Sequence, residues 1–141
     1  MAVTECYIKG RNDYGVGKCA VVIVEKAEIK HQVAWAVPET FTFEGETVKS
    51  DQFNCEIIAA CYALKWCRDN SRKLVNFYTN NTSIYKWLGD GAFPENRTLS
   101  KTYKEYAEGF DIAAEYVPKD TSDEWLAQFN RLVNEIAMKA K

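Results

Sequence analysis

Residues 54–67 read NCEIIAACYALKWC, and this stretch decides how the rest of the chain is organised. Phe53, Ile57, Ala60, Cys61 and Leu64 recur at three- and four-residue steps, which places them on one face of a helix. Ser50 or Asp51 can cap its start, and Asp69-Asn70-Ser71 ends it, so the spacing predicts a helix over 51–68. On its N-terminal side, Val3–Ile8, Cys19–Val24 and Gln32–Val37 are short, apolar and rich in β-branched residues, as strands are. A turn over Gly10–Gly17 and another at Lys26-Ala27-Glu28 join them, and polar Glu39–Lys49 is expected to finish the sheet edge as a loop. On its C-terminal side, Leu74–Tyr78 predicts a fourth strand, followed by a short helix capped by Thr82 or Ser83 and ending near Trp87. Gly89-Asp90-Gly91, with Pro94 beyond it, predicts a loop. Leu99–Phe110 repeats helical spacing, and Ile112–Val117 predicts a fifth strand stopped by Pro118. The capping-box pattern Thr121-Ser122-Asp123-Glu124 opens a last helix through Trp125, Phe129, Leu132, Val133 and Ile136. The order βββαβααβα predicts one α/β domain over 1–141, with a five-stranded mixed sheet in the order 3-2-1-4-5 and helices on both faces.

Composition narrows the function classes. A content of 47% hydrophobic and 13% aromatic residues excludes a disordered chain. No apolar run approaches the roughly 18–20 residues that cross a bilayer, so no membrane partner is expected. The five cysteines (6, 19, 55, 61 and 67) include no C-x-x-C pair, which fits reduced thiols in a cytoplasmic protein. Cys55, Cys61 and Cys67 share one helix and cannot surround a single metal. The net charge of −2 gives little attraction for a phosphate backbone. His31, the only histidine, and Trp35, Trp66, Trp87 and Trp125 read as packing residues.

Four short frames, in this order of elements, resemble ribonuclease H over nearly the whole chain. The family's E-x-x-A-A-x-x-A-L is similar to Glu56-Ile57-Ile58-Ala59-Ala60-Cys61-Tyr62-Ala63-Leu64. Its aspartate-glycine-serine on the first strand becomes Lys9-Gly10-Arg11. A bacterial branch follows a fourth-strand aspartate with isoleucine four residues on and tryptophan seven on; here the frame is Asn80, Ile84 and Trp87. Its N-x-x-x-D-x-x-A in the last helix becomes Asn130 to Ala137, with Asn134 in the acid position. The histidine often found before that helix is absent from Pro118-Lys119-Asp120-Thr121. The resemblance implies hydrolysis of RNA–DNA hybrids by two Mg²⁺ ions held between clustered carboxylates. Of the four acid positions only Glu56 keeps an acid; Lys9, Asn80 and Asn134 stand at the others.

Those exchanges argue against hydrolysis. Two asparagines remove two negative charges, and Lys9 brings a positive one, which costs several kcal/mol against a dication at an effective dielectric of about 20. No metal and no other cofactor is therefore expected, with Mg²⁺ required only if the chain is active. The expected arrangement is a Lys9–Glu56 ion pair flanked by Asn80 and Asn134. The expected function is a catalytically inactive domain that binds a nucleic-acid duplex, such as an RNA–DNA hybrid, or a protein partner. The alternative is an active Mg²⁺-dependent hybrid endoribonuclease using Asp13, Glu56 and Glu135, although Glu135 is turned about 100° from Asn134 on the helix. Candidate nucleic-acid contacts are Arg11, Lys18, Lys86, Trp87, Lys101 and Lys104, offset by Asp90, Glu95, Glu105 and Glu108. Lys65, Arg68, Arg72 and Lys73 read as a solvated helix end complementing the macrodipole.

Overall fold

The computed structural model describes residues 3–89 and 93–141. Strands β1 (Thr4–Asp13), β2 (Val16–Glu25) and β3 (Glu28–Val37) form an antiparallel meander. They run longer than their apolar cores because both turns are tight. Tyr14-Gly15 and Lys26-Ala27 make the reversals, all four with positive φ, the backbone that matches strand twist in two-residue hairpins. Gly10 therefore lies inside β1, not in the first turn as its type had suggested.

The segment expected as a loop is a second small sheet. β4 (Thr40–Phe43) and β5 (Glu46–Lys49) pair antiparallel across a Glu44-Gly45 turn. Alternation explains it: Phe41, Phe43 and Val48 pack on the core, while Thr42 and Thr47 are exposed. The N–H and hydroxyl of Ser50 both donate to the Glu39 carbonyl, at 2.9 and 3.1 Å, and tie off the hairpin's neck.

The remaining elements are α1 (Gln52–Asp69), β6 (Leu74–Thr79), α2 (Thr82–Gly89), α3 (Ser100–Ala107), β7 (Asp111–Tyr116) and α4 (Glu124–Met138). The main sheet has the order β3-β2-β1-β6-β7, with β1, β6 and β7 parallel. This is the expected 3-2-1-4-5 order once the two hairpin strands are counted. Asp51 caps α1 by accepting the Asn54 N–H at 2.7 Å. Asp123 caps α4, so the capping role falls two residues after Thr121. Gly109, with φ of 86°, ends the segment after α3 short of the predicted Phe110. Gly89 closes α2; Asp90 and Gly91, where a loop was expected, lie outside the described residues.

Strand alternation divides the core into two layers. Cys6, Ile8, Cys19, Val21 and Ile23 face α1 together with Ile84 of α2 and Tyr103 of α3. Tyr7, Ala20, Val22 and Val24 face α4 through Phe129, Val133 and Ala137. From Cys19 to Val24, β2 is buried on both faces and reads accordingly as an unbroken apolar run. No described helix is long and apolar enough to cross a membrane.

Candidate active site

Gly10 fixes how closely α1 lies on the sheet. A Cβ at this position would sit 2.3 Å from both the Gln52 carbonyl oxygen and the Glu56 nitrogen, which are backbone atoms that cannot swing aside. The contact occurs just where β1 outruns its parallel neighbour, because pairing with β6 covers only Thr4–Tyr7. Glu56 supplies the acceptor there: the Gly10 N–H donates to Glu56 Oε1 at 3.0 Å. Thr79, the last residue of β6, donates its hydroxyl to Glu56 Oε2 and accepts the Asn81 N–H at 3.1 Å. Asn81 Oδ1 in turn accepts the N–H groups of Ser83 and Ile84, so Asn81 caps α2 in place of the expected Thr82 or Ser83.

Glu56 is 2% exposed. Burial pushes its carboxyl up to about 7, partly opposed by the bonds from Thr79 and Gly10 and by the charge of Lys9. Lys9 lies one residue from Gly10, on the side of β1 that carries Tyr7 and faces α4. Its ammonium donates to Asn80 Oδ1 at 3.2 Å. Burial lowers its pKa; Glu56 opposes this, while the charges of Arg11 and Lys119 add to it. Lys9 and Glu56 thus make no direct ion pair, contrary to expectation, because alternation sends their side chains to opposite faces and both Glu56 oxygens are engaged. Asn134 also stands apart: its Nδ2 donates one turn back along α4 to the Asn130 carbonyl at 2.7 Å.

Solved structures of the same architecture exist. Ribonuclease H1 from the halophilic archaeon Halobacterium salinarum matches with a TM-score of 0.71 at 16% identity, covering 98% of this chain and 96% of that one. The N-terminal ribonuclease H domain of a Mycobacterium tuberculosis protein matches with a TM-score of 0.73 at 11% identity, over 99% and 96% of the two chains. LC11 ribonuclease H1, crystallised with an RNA/DNA hybrid, matches with a TM-score of 0.71 at 16% identity, over 97% and 95%. The fold is ribonuclease-H-like. No protein-family model matches the chain, and no curated protein matches it in sequence.

Lys9, Glu56, Asn80 and Asn134 do not suit a pair of Mg²⁺ ions. Hard cations need several free carboxylate oxygens. Here the acid is buried and hydrogen-bonded at both oxygens, a lysine ammonium occupies the neighbouring position, and the other two side chains are neutral amides with partners of their own. The alternative acid set is not assembled either. Asp13 sits at the far end of β1, 2.9 Å from Arg11 and 3.4 Å from Lys18, and Glu135 is exposed on α4. Among the described residues, no three His, Cys, Asp or Glu side chains gather into a metal site.

The basic candidates are dispersed. Arg11 is held by Asp13, and Lys18 reaches both Asp13 and the Met138 carbonyl. Lys86 is exposed on α2. Trp87 packs between Phe53 and Phe93 and carries the Arg97 guanidinium 4.6 Å over its ring, so its main face is already covered. Lys101 and Lys104 are exposed on α3 beside Glu95, Glu105 and Glu108. Two residues of the site gave no signal in the sequence. Thr79 reads as an ordinary strand threonine, and Lys119 as one residue of a loop lacking histidine.

Proposed function

We propose that this chain is a non-hydrolytic ribonuclease-H-like module that holds a nucleic-acid duplex by its backbone, without metal ions. The observation that carries this reading is the Lys9 ammonium bound to the Asn80 amide, beside a Glu56 carboxyl whose oxygens are both engaged. Where a hydrolase would collect negative charge around cations, this chain presents Lys9, with the exposed Lys119 near enough to act on its charge and Arg11 paired to Asp13. Such a centre attracts a phosphate directly, as a point charge rather than through a dication. LC11 ribonuclease H1, bound to an RNA/DNA hybrid, offers a relative of the same fold that engages such a duplex.

Fluorescence anisotropy with a labelled RNA–DNA hybrid, in EDTA and at low salt, tests the proposal. Binding should be micromolar, and log K should fall with log salt at a slope of roughly −2 to −3, as two or three phosphate contacts require. Lys9→Glu with Lys119→Glu should remove most of it, and neither Mg²⁺ nor Mn²⁺ should produce cleavage. Cleavage that disappears in Glu56→Gln would establish the hydrolytic alternative instead. Absence of binding at low salt would favour a protein-binding scaffold, a reading supported by the net charge of −2 and by the acids around Lys101 and Lys104.

A further inference from the structure

The hairpin that follows β3 walls a cavity of about 300 Å³ unconnected with the site above. Trp35 and Val37 come from β3, Phe41 and Phe43 from β4, Ile58 and Tyr62 from α1, and Tyr106 from α3. The rings brace one another: Trp35 against Tyr62 at 5.2 Å between centroids, and Phe43 against Tyr106 at 6.2 Å. Both tyrosine hydroxyls are bonded to other groups. Tyr62 pairs with His31 Nε2 at 2.9 Å, and Tyr106 donates to Glu44 at 3.1 Å, which also engages that carboxylate. The walls thus offer water almost no partners, and an apolar molecule that takes its place gains.

One charged group completes the lining, Lys65, exposed and without a hydrogen bond or ion pair among the described residues. We propose that this cavity binds a small aromatic carboxylate, with its rings between the aromatic walls and its acid on the Lys65 ammonium. The volume lies at the lower end for ligand pockets, and walls from four elements suit a compact molecule better than a continuous polypeptide. The Lys65 charge selects an acid over a neutral or basic ring, and the aromatic faces select a flat apolar body. The inference does not depend on the fate of the duplex reading.

Naphthalene-2-carboxylate is a suitable probe, with 2-naphthol as its uncharged counterpart at pH 7. In a ¹H–¹⁵N NMR titration of the full chain, the carboxylate should bind saturably below millimolar concentration. Shifts should be confined to the Trp35 indole and the amides of Phe41, Phe43, Tyr62 and Tyr106. Lys65→Glu, a surface change that leaves the core intact, should weaken the carboxylate about tenfold, because an attraction becomes a repulsion, and alter the naphthol affinity less than about twofold. Scattered or non-saturating shifts would overturn the site. Naphthol binding as tightly as the carboxylate, or equal loss of both probes in Lys65→Glu, would overturn the role given to Lys65.

Discussion

Replacing Glu56 with glutamine should make the protein more stable at pH 8 and leave it nearly unchanged at pH 5. In the unfolded chain a glutamate titrates near 4.5, whereas burial raises the folded value to about 7. The folded state therefore holds this proton more tightly than the unfolded state does. Below about pH 4.5 the acid is neutral in both states and costs nothing; as pH rises toward 7, the unfolded chain ionises freely while the folded one resists. Stability is lost across that window and levels off above it. At about 1.4 kcal/mol per pH unit, the loss amounts to about 3 kcal/mol. Glutamine keeps an oxygen for the Gly10 N–H and sets its amide against the Thr79 hydroxyl, whose rotor can turn, so the packing survives. Urea unfolding followed by tryptophan fluorescence at several pH values from 5 to 8 measures the effect. The difference between native and Glu56→Gln stability should grow by about 3 kcal/mol, centred between pH 5 and 7. Parallel curves for the two proteins would refute the reasoning and mean that Glu56 is ionised, or solvated, in the folded state.

Thr79→Val should cost about 1–3 kcal/mol, because it strips Glu56 of a buried donor and Asn81 of an acceptor. It should also move the Glu56 titration above 7, which the same pH-dependent unfolding would show. Gly10→Ala should force α1 off the sheet at a cost of about 3 kcal/mol, lowering the thermal midpoint by roughly 10 °C in calorimetry. Placing aspartate at positions 9, 80 and 134 together should confer a dependence on Mg²⁺, with none expected of the unmodified chain. At ten times its dissociation constant the ion should raise the thermal midpoint by about 3–5 °C, and an unchanged midpoint would argue that Glu56 stays locked to Thr79.

The sheet order is legible because each strand carries its own period-two or wholly apolar signature, and because the frames at Lys9-Gly10, Glu56 and Asn80 fall in order on a strand, a helix and the end of the next long strand. The hairpin at 40–49 reads as a loop in sequence although Phe41 and Phe43 alternate with Thr42, because its glutamates and Gly45 mask a short two-stranded pattern. Direct pairing of Lys9 with Glu56 failed on parity that the sequence does contain, since Cys6 and Ile8 lie on one face and Tyr7 on the other. Thr79 was illegible for a different reason. Its role exists only because β1 extends beyond β6 and leaves a carboxyl to be shared, a tertiary circumstance with no local signature.

The single amide of Gly10 is a joint between β1, α1 and, through Thr79, β6. A buried side chain of α1 holds it and Thr79 of β6 holds that side chain, so exposure to solvent hydrogen is expected to require these elements to part together. Its isotope exchange should thus report opening of the whole molecule rather than local breathing. A retained glutamate in a ribonuclease-H-like chain then need not mark surviving chemistry. Here it also works as a rivet between two strands and a helix, a mechanical part that glutamine at the same position would play as well.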